Sequence, residues 1–328
     1  MGHPLHPSLA AVRLAVRRCL SDLARGSLVL VACSGGSDSM ALLVATTFVA
    51  PRLQLRVGTV VVDHCLQAGS GEVAEATAAR ATALGATPVE VRQVAVGTAG
   101  GPEAAAREAR RHALKDAASE HGASIVLLGH TLDDQAETVL LGLARGSGAR
   151  SLAGMRPVDG LWRRPLLGLR RSDTLAACAA AGERVWQDPH NDQASFTRVR
   201  VRLDVLPVMD AALGPGVAPA LARTADLLRA DADLLDRLAA DLHARVRVAG
   251  GLSVQGLAEA PPALRTRVLR IAALGAGCPP SELTLGHVRS IEAMLTDWHG
   301  QRGVDLPGRV TCRRTGTALG FSGDPVAG

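Results

Sequence analysis

The stretch LVLVACSGGSDSMALLVA, residues 28–45, limits what this chain can become more than any other. Residues 28–33 are an apolar run of the kind that forms a buried strand. From Met40 onward the residues are helix formers, which leaves Ser34-Gly35-Gly36-Ser37-Asp38-Ser39 as the turn between them. Strand, Ser/Gly turn and helix in that order make a cradle for phosphate. Backbone N–H groups converge on an anion with no Cβ in the way, and the positive end of the helix dipole points at the same spot. The hydroxyls of Ser34, Ser37 and Ser39 add neutral donors. No Lys follows the last Gly, so this is not the lysine-bearing phosphate loop. Asp38 inside the turn would repel a pyrophosphate unless Mg²⁺ sat between them.

Along the chain, an amphipathic helix over residues 8–25 precedes this unit. Strands are predicted at 57–65, 89–96, 124–129 and around 162–167, with helices at 72–84, 103–120, 135–144, 172–181 and 196–213 between or after them. Alternation at this spacing predicts an α/β fold, a five-stranded parallel sheet with helices on both faces and right-handed crossovers. Ligands of such sheets bind beyond the carboxyl ends of the strands. The serine-glycine turn, Asp63-His64 and the run from His130 to Asp134 all fall at those ends. Gly214-Pro215-Gly216 marks a break, giving a catalytic domain over 1–213, a helical connector over 214–248 and a small, mainly helical domain over 249–328. In the last, helices are predicted at 261–274 and 281–298, the second capped by Ser281, and a small sheet over 304–321.

With 328 residues the chain has room for more than one core, and no run reaches the 18 or so apolar residues a membrane span needs. It is expected to work in the cytoplasm, away from membranes, as a monomer or homodimer. None of the six cysteines stands in a C-x-x-C pair, which argues against a zinc ribbon, an iron–sulfur site or a disulfide framework. Residues 150–202 hold ten Arg against five Asp/Glu, an excess equal to the +5 of the whole chain. A basic segment on a near-neutral body points to an anionic partner, with nucleic acid the leading candidate. At the start of the helix after His130, Asp133, Asp134 and Glu137 stand within one turn of each other. Capping accounts for one of them. Three acids facing a phosphate cradle imply Mg²⁺, a cationic substrate or proton transfer.

The turn SGGSDS resembles the signature of PP-loop ATP pyrophosphatases. The succession continues with PEAAAREAR (102–110), GHTLDDQAETVLLGLARGSG (129–148), RRPLLGLRR (163–171), QDPHND (187–192) and FTRVRVR (196–202), and together these blocks resemble the tRNA(Ile)-lysidine synthetase family over roughly residues 28–210. The resemblance implies an enzyme that uses ATP and Mg²⁺ to adenylate O2 of the first anticodon cytidine in a tRNA(Ile) with a CAU anticodon. The amine of free L-lysine then displaces AMP to give lysidine. Ser34, Gly35, Gly36, Ser37, Asp38 and Ser39 would hold the pyrophosphate, with His64, Arg107 and His130 completing the ATP site. Asp38 would ligate metal, with Asp133 or Asp134 sharing that task or, with Glu137, receiving the lysine ammonium and its proton.

Arg163, Arg164, Arg198, Arg200 and Arg202 would meet the tRNA backbone, which sets affinity and not identity. Identity would come from the flipped cytosine, for which Trp162, Trp186 and Phe196 are the only nearby aromatic neighbours. The chain departs from the family pattern at Asp63, Cys65, Arg111 and Val199. Two rivals stand beside this reading. One is a cytidine 2-thiolating PP-loop enzyme, which would need paired cysteines. The other is a non-catalytic nucleotide- or tRNA-binding module, which would have no use for acids beside a triphosphate.

Overall fold

The computed structural model describes residues 5–65, 69–97, 101–146, 148–186 and 197–323. The chain separates into two compact units, residues 1–227 and 228–328. The first runs α1 (Pro7–Leu20), β1 (Leu28–Ala32), α2 (Ser37–Val49), β2 (Arg56–Asp63), α3 (Ser70–Ala83), β3 (Val89–Gln93), α4 (Pro102–Glu120), β4 (Ile125–Leu127) and α5 (Leu132–Ala144). It continues through α6 (Ala149–Leu152), β5 (Val158–Asp159), β6 (Trp162–Arg163), α7 (Arg171–Ala180), α8 (Thr197–Arg200), α9 (Leu206–Leu213) and the start of α10 (Val217–Arg245).

The sheet order is β3-β2-β1-β4-β6-β5. Five strands run parallel, as expected, and β5 adds a short antiparallel edge. Side-chain alternation sends Val29 and Val31 of β1 toward α1, α2 and α7, and Leu28 and Leu30 toward Leu114 and Ala117 of α4. Both faces are therefore covered, which is why the central strands read as unbroken apolar runs. β1 has β2 on one side and β4 on the other, so the order of the strands reverses here. The loops leaving β1 and β4 diverge and leave a crevice at their carboxyl ends. The strand expected over 162–167 stops at Arg163, because Pro165 has no N–H to give a ladder.

The helix expected over 196–213 is interrupted by a π-helical turn at Val201–Val205, in which the Leu206 N–H donates to the Val201 carbonyl. Pro207 has no N–H for the Leu203 carbonyl, and the wider turn accommodates its ring. Phe196 and the block 187–192 lie outside the described residues.

The C-terminal unit holds β7 (Arg247–Val248), β8 (Gly251–Ser253), α11 (Val254–Ala258), α12 (Pro262–Gly275), α13 (Leu285–Thr296), β9 (Val304–Leu306), β10 (Val310–Thr315) and β11 (Ala318–Gly323). Its antiparallel sheet, β7-β8-β11-β10-β9, recruits two short strands beyond the predicted 304–321. Gly251 (φ +141°) lets β8 approach β11, since a Cβ there would lie 1.9 Å from the Leu319 oxygen. The core joins Leu257, Leu269, Ile291, Met294 and Leu319. α13 is capped by Thr284, not Ser281, because the Thr284 hydroxyl accepts the His287 N–H. Among the described residues no single helix is long and apolar enough to cross a membrane.

Candidate active site

The turn after β1 is organised from within. Ser39 Oγ accepts from Ser34 N (3.1 Å), meets Ser34 Oγ (3.2 Å) and donates to the Gly36 carbonyl (3.0 Å). The Ser39 hydroxyl thus shapes the loop. Gly36 caps α2 without a side chain, which leaves the first N–H groups of the helix for a ligand. Gly35 (φ +83°) accepts from Trp186 N at 3.0 Å, and a Cβ on it would lie 2.7 Å from Thr77 Oγ1. From the β4 side, Gly129 presses so closely on Asp38 that a Cβ would sit 3.0 Å from its backbone.

A cavity of about 690 Å³ opens at this mouth. It is lined by Ser34, Gly36, Ser37, Asp38 and Ser39 of the turn, His64 after β2, Arg110 of α4, and His130 and Asp134 around the start of α5. Arg171 of α7, Trp186, and Arg202 and Leu203 of the π turn complete it. Both His64 Nδ1 and His130 Nδ1 are buried without a hydrogen-bond partner among the described residues. Burial and neighbouring Arg110 lower His130 to about 3, so this imidazole is neutral over the ordinary pH range.

The acids of α5 and Asp38 are tied to arginines. Asp134 caps α5, accepting from Thr131 N (2.7 Å) and Thr131 Oγ1 (2.9 Å), while its other oxygen takes Arg171 Nη2 at 2.8 Å. Asp38 accepts from Arg171 Nε at 3.2 Å and from the Thr174 hydroxyl. Glu137 has no exposed surface and accepts from Arg202 Nε at 2.7 Å, with Arg171 Nη1 at 3.8 Å. Burial raises the carboxyls of Asp38 and Glu137 against the pull of these cations. Burial works on Asp134 too, but Arg171 and the Thr131 hydrogen bonds outweigh it and hold this carboxyl below its usual range.

The first unit and its neighbours in other proteins agree. A PP-loop domain family matches residues 11–209, and a family described as the TilS substrate binding domain matches residues 252–319. The tRNA(Ile)-lysidine synthase of Thermobifida fusca (strain YX) is 56% identical over 94% of this chain and 95% of its own length. That of Streptomyces coelicolor is 51% identical over 96% and 98%. The chain belongs to the tRNA(Ile)-lysidine synthase family. Among solved structures, the U34-tRNA thiolase NcsA from Methanococcus maripaludis shares the fold. Its TM-score is 0.56 with 18% sequence identity, over 68% of this chain and 80% of that one.

Several residues picked out in the sequence take places other than those expected. Asp133 does not line the cavity; it accepts from Arg170 Nε (2.9 Å) and Arg171 N (2.7 Å), bracing the start of α7. Glu137 lies behind Arg171 and Arg202. Arg163, expected on tRNA, is buried and joins β6 to α1 by donating to the Asp22 carboxylate and the Cys19 carbonyl. Arg164 is buried as well, giving Nη1 to the Arg156 carbonyl. Arg202 turns inward to Glu137 and Arg198 reaches Thr138 (3.3 Å), which leaves Arg200 as the exposed member of that trio. Trp162 is core, under the guanidinium of Arg111. Asp63 holds Cys65 in a left-handed turn by accepting its N–H at 2.9 Å, and Val199 is buried. Arg107 sits on the exposed side of α4; its neighbour Arg110 is the one that lines the cavity.

Sequence reasoning missed Arg110, Arg170, Arg171, Thr174 and Leu203. A signal was present: buried carboxylates need cations, and RRPLLGLRR runs from the end of β6, another strand of the same sheet, to the start of α7.

Proposed function

We propose that this chain joins the ε-amine of L-lysine to C2 of the first anticodon cytidine in a tRNA(Ile) with a CAU anticodon, turning ATP into AMP and pyrophosphate. The observation that carries the proposal is a single cavity bounded by the serine-glycine turn, Arg110, and the carboxylates of Asp38 and Asp134. In the first step cytidine O2 bonds to the α-phosphorus while the bond to the bridging oxygen breaks and pyrophosphate leaves. In the second, the lysine nitrogen bonds to C2, the C2–O bond breaks and AMP departs. The turn and the open end of α2 receive the phosphates, and Arg110 offers them positive charge. His64 and His130 present neutral imidazoles to nucleoside atoms. The cytosine ring would lie against Trp186 and the exposed Leu203. With Asp133 engaged on α7 and Glu137 buried against Arg202, Asp134 is the α5 carboxylate that faces the cavity and is left to receive the ammonium and its proton.

Mg²⁺ fits the donors present as part of a nucleotide complex. Among the described residues no group of three or more His, Cys, Asp or Glu is arranged to hold a metal. Asp38 and Asp134 would supply two ligands and the phosphates and water the rest, the usual pattern for this ion. Bound there, it would neutralise the pyrophosphate as it leaves. Domain roles follow: residues 1–213 for chemistry, 214–248 as connector and 249–328 for tRNA. Such substrates suit a cytoplasmic enzyme, as monomer or homodimer, with no membrane partner. The thiolating alternative is disfavoured: no two cysteines stand in a C-x-x-C pair, and among the described residues no group of three or more His, Cys, Asp or Glu is placed to hold a metal or cluster.

The test incubates the protein with ATP, Mg²⁺, radiolabelled lysine and a CAU-anticodon isoleucine tRNA transcript. Label in that tRNA with release of AMP is expected. Equal labelling of methionine tRNA would remove the specificity claim, and no labelling would end the proposal.

A further inference from the structure

Arg171 stands where the acids converge. Its Nε meets Asp38 (3.2 Å), its Nη2 meets Asp134 (2.8 Å) and its Nη1 faces Glu137 (3.8 Å), so each nitrogen of one guanidinium addresses a different carboxylate. The residue is fixed at its other end too, because its own N–H donates to Asp133. Three carboxylates this close repel one another unless a cation sits among them. A planar, permanently charged fork satisfies all three at once, which a lysine could not do.

We infer that Arg171 is a built-in counter-cation of the carboxylate wall, holding it assembled yet closed to divalent metal until a nucleotide arrives. The inference rests on the proposed reading that ATP enters this cavity. A triphosphate gives the guanidinium an alternative anionic partner on the cavity side, where Arg171 is 28% exposed. Asp38 and Asp134 are then released for the metal that travels with ATP, and Glu137 keeps Arg202. Metal and nucleotide would thus bind together, and free metal would not bind ahead of it.

The test uses Mn²⁺ as probe and follows loss of its free-ion electron paramagnetic resonance signal in the whole 328-residue chain, a readout that needs no activity. Without ATP the native protein should leave Mn²⁺ free, and with ATP it should remove more of the free-ion signal than the same ATP does in a protein-free control. Arg171→Met should bind Mn²⁺ without ATP at least roughly tenfold more tightly than the native chain does, and Mn²⁺ should raise its melting temperature. Arg171→Lys, one charge that cannot span three acids, should fall between, and it carries the test if Arg171→Met does not fold. Asp38→Asn added to either variant should abolish the gain. Tight Mn²⁺ binding by the native protein without ATP would overturn the inference, as would no gain in a folded variant. Failure of the native protein to form lysidine with the Mn²⁺ pattern intact would instead count against the proposed reaction.

Discussion

On one wall of the cavity Asp38, Asp134 and Glu137 share Arg171 and Arg202, so buried charges of opposite sign are matched within 4 Å. On the other, Arg110 stands beside Arg107, Arg111 and neutral His130, and no carboxylate lies within ion-pair distance of it among the described residues. Burial together with neighbouring Arg107 lowers Arg110 to about 10, and the more distant charge of Asp134 offsets this only in part. The matched wall is internally finished and costs stability if opened. The unmatched wall is unfinished until an anion arrives, and so carries affinity at the expense of stability.

Opening the matched wall should give the largest effect. Arg202→Ala strands Glu137, a carboxylate with no exposed surface, and should cost about 3–5 kcal/mol in denaturant unfolding of the first unit. Arg202→Ala with Glu137→Gln should recover most of that stability without restoring lysidine formation. If the single variant is as stable as the native chain, the wall is not matched in the sense argued. The unmatched wall should behave in the opposite way: Arg110→Met should leave stability unchanged or higher while weakening ATP binding by about 1.5–3 kcal/mol in calorimetry. A destabilised variant with native ATP affinity would reverse the assignment.

A smaller effect concerns His130. Its folded value of about 3 lies below the ordinary 6.5, so its contribution is full above pH 6.5 and is lost as pH falls toward 3. The slope should be at most about 1.4 kcal/mol per pH unit, and His130→Gln should flatten it in melts between pH 7 and 4. The smallest effects separate arginines of the basic segment. Arg163→Met should cost about 1 kcal/mol of stability with tRNA affinity unchanged, since its partners are Asp22 and the Cys19 carbonyl. Arg200→Gln should do the reverse and lower the salt slope of tRNA binding by about one phosphate contact.

The parts of this molecule that could be read from sequence are those whose physics is local. Residues 28–45 show strand, turn and helix in consecutive side chains, and β1, β2 and β4 are apolar because both faces of the sheet are covered. The convergence of the turn, His64, His130 and Asp134 follows from the rule about carboxyl ends. The matching of charge was not legible in this way. Arg171 meets Asp38 across 133 positions, and nothing in RRPLLGLRR tells which arginine turns inward. Arg163 and Arg202 looked like tRNA contacts because composition records charge without its partner. The π turn was hidden because its cause, Pro207, sits where helices also tolerate proline at a first turn. β7 and β8 are too short to show alternation, and they form only because β11 offers an edge.

The most direct test of the divided cavity is a crystal structure of the chain with Mg²⁺ and a non-hydrolysable ATP analogue. The account requires phosphates against Ser34–Ser39 with Arg110 upon them, and Arg171 drawn away from Asp38. Nucleotide seated instead in a separate cavity of about 680 Å³, between β3 and α4 beside Gln93, Glu108 and His112, would contradict it. So would phosphates in the turn with Arg110 turned away from them.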